Sequence, residues 1–145
     1  MSIVVLVIAL TVAGAIGWLL NRRSGQLRHT PGSLSGDDSA AEAEAQADAA
    51  YLGLTPEKPT VVHFSAPWCG PCAALRRVVE KVCTDLGGVE HLEIDIDANP
   101  DAARRFSVLS LPTTVIFDAA GRQRYRVTGV PTSADLRDAL HPLVA

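Results

Sequence analysis

Two cysteines lie where a strand pattern gives way to a helix pattern, and this junction constrains the fold more than any other part of the sequence. Residues 60–66 form an apolar, β-rich run that leads into the motif WCGPC at residues 68–72. After the motif, apolar residues recur at helical spacing until a pair of glycines at 87–88, which is typical of a helix end. The pattern predicts a strand, a turn that carries both thiols, and a helix that begins beside the second thiol.

The two thiols of this motif are placed for disulfide chemistry. Cys69 lies at the expected helix N-terminus, where unpaired amide N–H groups and the helix dipole stabilise a thiolate. Cys72 follows three residues later on the same helix face, close enough to form or break a disulfide. Pro71, which follows Gly70, fits the first helical turn because its missing N–H costs nothing there.

The competing interpretation of a C-x-x-C motif is half of a zinc site. Zinc needs four ligands, and the sequence contains neither a second C-x-x-C nor paired histidines. It also contains no flavin or nicotinamide motif. We therefore expect no metal and no cofactor, so that electrons for a reductive reaction must come from a separate reductase or a membrane electron donor.

The length and charge of the chain narrow its class. The 145 residues suffice for one compact domain with some additional chain. A net charge of −3 at pH 7 gives no electrostatic footprint for nucleic acid, so no nucleic-acid partner is expected. Three cysteines are too few for a secreted disulfide scaffold, which favours a catalytic role for the cysteine pair over a purely structural cross-link.

Residues 3–20 contain no charged side chain and predict a single transmembrane helix that anchors the protein. At about 1.5 Å per residue this stretch spans about 27 Å, close to the hydrocarbon thickness of a bilayer. Trp18 lies near one end, where an indole favours the membrane–water interface. The alternative is a cleaved secretory signal; the basic N-terminal region that signals carry is missing, but the small residues 13–15 leave this alternative open.

The charges beside the apolar segment predict its orientation. Arg22, Arg23 and Arg28 follow the segment, and no Lys or Arg precedes it. The positive-inside rule then places the domain in the cytoplasm of a single-pass cell-membrane protein, with the extracytoplasmic side as the alternative. Small residues at every fourth position from Ala9 to Gly17 indicate a face for weak helix–helix self-association.

The remaining chain divides into a linker and a domain. Residues 1–2 form the N-terminus, residues 21–39 a linker with a possible short edge strand at 26–30, and residues 40–145 the domain. The Ala- and Glu-rich residues 40–54 predict the first helix of the domain. Alternating polar and apolar residues, or continuous apolar runs, predict strands at 91–97, 113–118 and 123–127. One further helix is expected to start at Asn99-Pro100 and a final helix at Thr132 or Ser133. This order predicts an α/β fold with a mixed sheet.

These motifs resemble the thioredoxin family over about residues 51–144. The resemblance rests on WCGPC, the Asn99-Pro100 helix start, the segment 111–113 and the glycines at 121 and 129. It implies a thioredoxin-like, three-layer α/β/α fold and a cis-proline at position 112 beside the cysteines. It also implies a shallow groove for a substrate strand, bordered by Trp68, Leu111, Pro112, Thr113, Gly129 and Val130; for Val130, turn and core packing is the stronger interpretation.

The sequence departs from the family at two positions. Many thioredoxins carry a buried aspartate below the cysteines as a proton acceptor, and His63 stands there in this chain. An imidazole could accept the proton as well, and simple hydrogen-bonded packing of His63 is the alternative. The family often has a lysine on the neighbouring strand, where this chain has Glu93, which would form a chemically sensible pair with His63.

Taken together, the sequence predicts a protein-disulfide reductase. Cys69 attacks a disulfide of a substrate protein, and Cys72 then attacks Cys69 and releases the reduced substrate. An extracytoplasmic oxidoreductase for exported proteins and a non-catalytic binding module with the same fold are the rival hypotheses. Cys83 falls on the apolar stripe of its helix and is interpreted as a buried core thiol.

Overall fold

The structure, a computed structural model, describes residues 2–22, 25–29, 38–55 and 57–144. Within the linker predicted at residues 21–39, residues 23–24 and 30–37 lie outside the described residues. In chain order the described elements are α1 (Ser2–Arg22), β1 (Arg28–His29), α2 (Asp38–Tyr51), β2 (Thr60–Ser65), α3 (Cys72–Leu86), β3 (Glu90–Asp95), α4 (Pro100–Arg105), β4 (Thr113–Phe117), β5 (Gln123–Thr128), α5 (Ser133–Leu140) and a 3-10 turn (His141–Leu143).

The strands form a mixed sheet, which confirms the fold class expected from the sequence. Their order across the sheet is β1-β5-β4-β2-β3. The central strand β2 runs parallel to β3 and antiparallel to β4, and β4 pairs antiparallel with β5. Parallel β2 and β3 need a crossover, which α3 supplies.

Hydrophobic clusters cover both faces of the sheet. On one face, Val61 of β2 packs with the buried stripes of α3 and α5. On the other face, Val62 and Phe64 pack with Phe106 after α4. Successive side chains of a strand point to opposite faces, so His63 lies on the same face as Val61, beneath α3. The two clusters make the three layers expected of the domain.

Helix α3 is placed by a continuous apolar stripe. Leu75, Val79 and Val82 are completely buried, and Cys83 lies beside them. The opposite side of the helix carries exposed charged residues, so only one rotation of α3 about its axis buries the stripe. This rotation also fixes which way Cys72, the first residue of the helix, faces.

Strand β1 closes the edge of the sheet beside β5 and falls inside the range 26–30 where the sequence predicts an edge strand. Arg28 pairs with Arg126, and the Gly25 N–H donates to the Thr128 carbonyl at 2.7 Å. Gly25 has φ +92, and a Cβ at this position would lie 2.5 Å from the Val130 carbonyl oxygen. Only glycine fits this turn without moving the backbone of the neighbouring segment.

The predicted transmembrane helix is not supported by the structure. Residues 2–22 form the helix α1, yet within the described residues no helix is both long and apolar enough to cross a membrane. The apolar side chains described on α1 are exposed, with Val5 at 63%, Leu10 at 65% and Trp18 at 55% of full exposure.

Replacing Gly25 by alanine tests how the segment before the domain is attached. We expect Gly25→Ala to release β1 from β5, because the new Cβ meets the Val130 carbonyl and the positive φ disfavours alanine. A local loss of about 1–2 kcal/mol corresponds to roughly tenfold faster hydrogen exchange at the β1 amides. Gln26→Ala, at an exposed neighbouring position, is the matched control. Unchanged exchange in Gly25→Ala would show that β1 does not depend on this turn.

Candidate active site

The two cysteines of the motif are joined by a disulfide at the N-terminal end of α3. The Cys69 and Cys72 Cα atoms lie 5.5 Å apart, and the helix begins at Cys72, as the sequence predicts. The Cys72 N–H donates to the Cys69 carbonyl at 3.3 Å, and the Leu75 N–H donates to the Pro71 carbonyl at 3.1 Å. These hydrogen bonds wind the motif into the first turn of the helix.

The two sulfur-bearing residues differ in exposure. Cys72 is buried, with 3% of its surface accessible, because it continues the apolar stripe of α3 toward the sheet. Cys69 precedes the helix and is only partly buried, between the exposed Trp68 and the exposed Gly70. A substrate disulfide can therefore reach Cys69 but not Cys72.

The sheet brings the predicted groove residues to the same end as the cysteines. Phe64, near the end of β2, pairs with Thr113, the first residue of β4, and Thr113 pairs with Thr128 at the end of β5. The residues just before β4 and just after β5 therefore lie beside the turn that holds the motif. The Gly129 N–H donates to the Pro112 carbonyl at 2.8 Å, which ties these two segments together.

The structure shows the backbone, burial and hydrogen bonds of several residues predicted to border the substrate groove. The Leu111–Pro112 peptide bond is cis, as the family resemblance implies. Thr113 is buried and its hydroxyl donates to the Ser110 carbonyl at 2.7 Å, so its side chain faces away from the surface. Trp68 is 68% exposed, and its Nε1 donates to Asp97 Oδ2 at 3.1 Å, which holds the indole beside the cysteines.

A polar cluster lies on the face of the sheet that α3 covers. His63 is completely buried, and its Nδ1 lies 2.7 Å from Nε2 of His91 on β3. His63 Nε2 lies 3.4 Å from Glu93 Oε1, so the predicted pair does meet. The Glu93 carboxylate accepts from Ser65 Oγ at 2.7 Å and from Arg76 Nε at 2.7 Å.

The pKa values of this cluster are shifted by burial and by the ion pair. Hydrogen bonding to Arg76 is the main cause that holds the pKa of Glu93 at about 2, well below its usual range. Burial is the main cause that lowers the pKa of His63 to about 4, with the neighbouring His91 adding to it and Glu93 opposing it. Burial also lowers the pKa of His91. At neutral pH the cluster therefore holds a carboxylate and two neutral imidazoles.

Sequence reasoning did not single out His91. The signal was nevertheless present, because His91 and Glu93 are two residues apart on a strand and so lie on one face. What the sequence could not supply was the register of β3 against β2, which pairs Glu93 with His63. That register brings the two imidazoles together.

Cys83 lies away from the disulfide in the core cluster between α3 and α5. Only 9% of its surface is accessible, and burial raises its pKa to about 11. A thiol that resists ionisation is a poor nucleophile, so the interpretation of Cys83 as a core residue is confirmed.

Comparison with known proteins shows what this chain is similar to. Residues 45–142 match the family model described as Thioredoxin. The thioredoxin of Mycolicibacterium smegmatis is 38% identical over 94 residues, which cover 60% of this chain and 83% of that protein. A bifunctional thioredoxin reductase/thioredoxin of Mycobacterium leprae is 34% identical over 100 residues, covering 67% of this chain and 22% of that protein. Chloroplastic thioredoxin z superposes with a TM-score of 0.58 at 32% identity, covering 68% of this chain and 87% of that structure.

The lowered pKa of His63 predicts that mild acid destabilises the fold. Its pKa falls from 6.5 to about 4 on folding, so the unfolded chain binds the proton more tightly and stability is lost as pH falls below 6.5. Between pH 7 and 4.5 the expected loss is about 2–3 kcal/mol, measured by denaturant unfolding. Glu93 contributes in a separate window below pH 4.5, because its pKa is also lowered.

Histidine variants separate the contribution of His63 to the pH dependence of stability from the contributions of the other histidines. His63→Gln should flatten the pH dependence, and the remaining slope should come from His91, whose pKa is also lowered. His141→Gln, at an exposed position in the C-terminal turn away from the cluster, is the matched control for the loss of a histidine. An identical slope in wild type and His63→Gln would refute the assignment.

Proposed function

This chain belongs to the thioredoxin family, and on that basis we propose that it reduces protein disulfides by dithiol–disulfide exchange through Cys69 and Cys72. The observation that carries the proposal is the disulfide between an accessible and a buried cysteine at the N-terminal end of α3. This difference in exposure assigns one chemical role to each thiol.

Cys69 performs the first step of the exchange. As a thiolate it attacks one sulfur of the substrate disulfide, the S–S bond breaks, and the departing substrate sulfur takes up a proton from water. The N-terminal end of α3 supports the negative charge at Cys69, because the unpaired N–H groups of a first helical turn face toward it. The product is a mixed disulfide between Cys69 and the substrate.

Cys72 performs the second step. Its thiol loses a proton, its sulfur attacks Cys69, and the second substrate sulfur leaves and is protonated. We assign His63 as the acceptor of the Cys72 proton. Cys72 and Arg76 are four residues apart and so lie on one face of α3, and Arg76 binds the carboxylate that lies 3.4 Å from His63. This face of the helix therefore passes over the imidazole.

The proton spends little time on His63. An ordinary cysteine thiol has a pKa of about 8.5 and His63 a pKa of about 4, so the transfer is uphill by roughly 6 kcal/mol. A barrier of this size still permits rapid proton transfer, because the pre-exponential frequency of a chemical step is many orders of magnitude higher than a turnover rate. The imidazolium is a transient species that must pass its proton on.

The groove beside the cysteines receives the substrate strand. Its proposed members are Trp68, whose exposed ring offers apolar contact area, and the segments that carry Leu111, Pro112, Thr113 and Gly129. The Gly-Pro pair between the cysteines is the form found in thioredoxins, which favours reduction over oxidation. A separate reductase then returns two electrons and two protons to the disulfide, a partnership in keeping with the fused reductase and thioredoxin of the M. leprae relative.

We also propose that residues 3–20 attach the domain to a membrane and leave it on the cytoplasmic side. Three observations support attachment to a membrane: the stretch carries no charge, it is part of the helix α1, and its described apolar side chains are exposed. The arginines at 22, 23 and 28 favour retention of the following chain in the cytoplasm. Soluble reductants there would keep the lone thiol of Cys83 reduced.

Cysteine variants test the two roles in the exchange. Cys69→Ser should reduce insulin no faster than the uncatalysed background, because the accessible nucleophile is gone. Cys72→Ser should accumulate covalent mixed disulfides with substrate, visible by non-reducing electrophoresis. Cys83→Ser is the matched control and should keep full activity, since this thiol is buried away from the site. Full activity in Cys69→Ser would refute Cys69 as the nucleophile, whereas a wild-type protein that does not reduce insulin would leave the fold as a binding module rather than an enzyme.

Protease accessibility tests the location. In intact cells the domain should resist added protease, and the full-length chain should stay with the membrane after a carbonate wash. Digestion in unbroken cells would place the domain outside the cytoplasm, where it would act on exported proteins. A shortened soluble product lacking residues 3–20 would instead identify this stretch as a cleaved signal.

A further inference from the structure

The exchange mechanism leaves His91 without a role, although this residue makes the shortest contact of the buried histidine. His63 Nδ1 and His91 Nε2 lie 2.7 Å apart, which requires one nitrogen to carry a hydrogen and the other to accept it. The heavy-atom positions fit either direction of this hydrogen bond. The pair can therefore exist in two tautomeric states with the same geometry.

The second ring nitrogen of His63, Nε2, makes no regular hydrogen bond to another described residue. Nε2 is buried and has no hydrogen-bond partner among the described residues, although Glu93 Oε1 lies 3.4 Å away. That carboxylate is already engaged, since Ser65 donates to Oε1 and Arg76 donates to both oxygens. Glu93 therefore acts on Nε2 as a nearby negative charge, which stabilises an added proton there.

A second buried polar atom lies on the neighbouring strand β4. Thr114 on β4 is the register partner of His63, so the two side chains lie on one face of the sheet about 5 Å apart at Cβ. Thr114 Oγ1 is also buried without a partner in the described part of the chain. The paired strands β2 and β4 therefore each carry a buried polar atom without a hydrogen-bond partner among the described residues, which is costly in a core.

We propose that His63 and His91 form a two-imidazole proton relay whose tautomeric state follows the redox state of the cysteines. The proposal rests on the role of His63 as acceptor of the Cys72 proton, stated above. In the dithiol form, His63 Nδ1–H donates to His91 Nε2, and His63 Nε2 carries the free lone pair that accepts the Cys72 proton. His91 acts through His63 and is thus a positioning residue, which fixes the acceptor nitrogen and gives the proton a way out.

The protons balance over one catalytic cycle. When Cys72 attacks Cys69, the Cys72 S–H bond breaks and a His63 Nε2–H bond forms. At the same time the His63 Nδ1–H bond breaks and a His91 Nε2–H bond forms. His91 Nδ1 then releases its proton to solvent. In the disulfide form, His91 Nε2–H donates to His63 Nδ1, and His63 Nε2–H points toward Glu93. Reduction by the partner reductase reverses each transfer.

The surroundings of both rings suit this path. Arg76 of α3 and Glu93 of β3 are the charged groups that act on His63, and Glu80 of α3 also acts on His91. His91 is only partly buried, in contrast to the completely buried His63, so the relay runs from the core toward the surface. Because burial lowers the pKa of both histidines, neither ring stays doubly protonated at neutral pH, and the transferred proton passes on.

Nitrogen-15 NMR of the full chain, labelled at histidine, tests the tautomers directly. We expect His63 to be protonated at Nδ1 in the reduced protein and at Nε2 in the oxidised protein, with both rings neutral at pH 7. Cys83→Ser should show the same switch, because it does not touch the cluster. The same tautomer of His63 in both redox states would overturn the relay.

Kinetics of the Cys72 step separate the relay from the role of His63. Single-turnover oxidation of the reduced protein by a saturating disulfide peptide should slow about tenfold or more at pH 7 in His91→Gln, whose amide oxygen accepts from His63 Nδ1–H but cannot carry a proton. Added imidazole buffer should restore the rate, which a merely structural defect would not allow. His141→Gln is the control and should match wild type.

The two possible failures are distinguishable. If His63→Gln and His91→Gln both react at the wild-type rate, the assignment of His63 as proton acceptor is wrong and the relay falls with it. If His63→Gln is slow but His91→Gln is normal, His63 keeps its role and the relay through His91 is refuted. Slow reaction of both variants, with rescue by imidazole only in His91→Gln, supports the relay.

Discussion

The packing of α3 against the central strand β2 is the contact on which the rest of the site depends. Three completely buried side chains, Leu75, Val79 and Val82, hold the helix in one rotation over the sheet. Burial of aliphatic side chains of this size stabilises a fold by about 2 kcal/mol each. The same rotation buries Cys72, whereas Cys69 precedes the helix and stays partly accessible, so two chemically identical thiols acquire different roles.

The polar cluster under α3 extends from the core to the surface, because His63 is completely buried while Glu93 is only partly buried. A buried carboxylate or imidazole is tolerated only where partners compensate for the lost water. Glu93 receives donors from two other elements, Ser65 on β2 and Arg76 on α3, so the ion pair also ties the helix to the parallel strands. His63 is compensated less completely, since one ring nitrogen has no hydrogen-bond partner among the described residues. This imbalance is what makes the histidine a candidate for proton transfer rather than a packing residue.

Element types could be read from the sequence, whereas element ends followed from backbone hydrogen bonds. The first domain helix, predicted at 40–54, ends at Tyr51, because Gly53 adopts φ +65 and the amides after the helix turn back onto its last carbonyls. The third strand, predicted to reach residue 97, ends at Asp95, whose side chain accepts from the Asp97 amide and bends the chain. Both ends are decided by local polar contacts that a hydrophobic pattern does not record.

The sequence by itself determined the chemistry of this protein: a C-x-x-C motif between a strand and an amphipathic helix, and a domain of alternating strands and helices. These features are local, because they depend on the order and spacing of neighbouring residues. The tertiary structure alone decided which cysteine is accessible, where the groove segments meet, and that His63 contacts His91 and Glu93. The contacts of His63 join residues about 30 positions apart through the register of β2 against β3, and strand register is set by the packing of the whole sheet rather than by either strand.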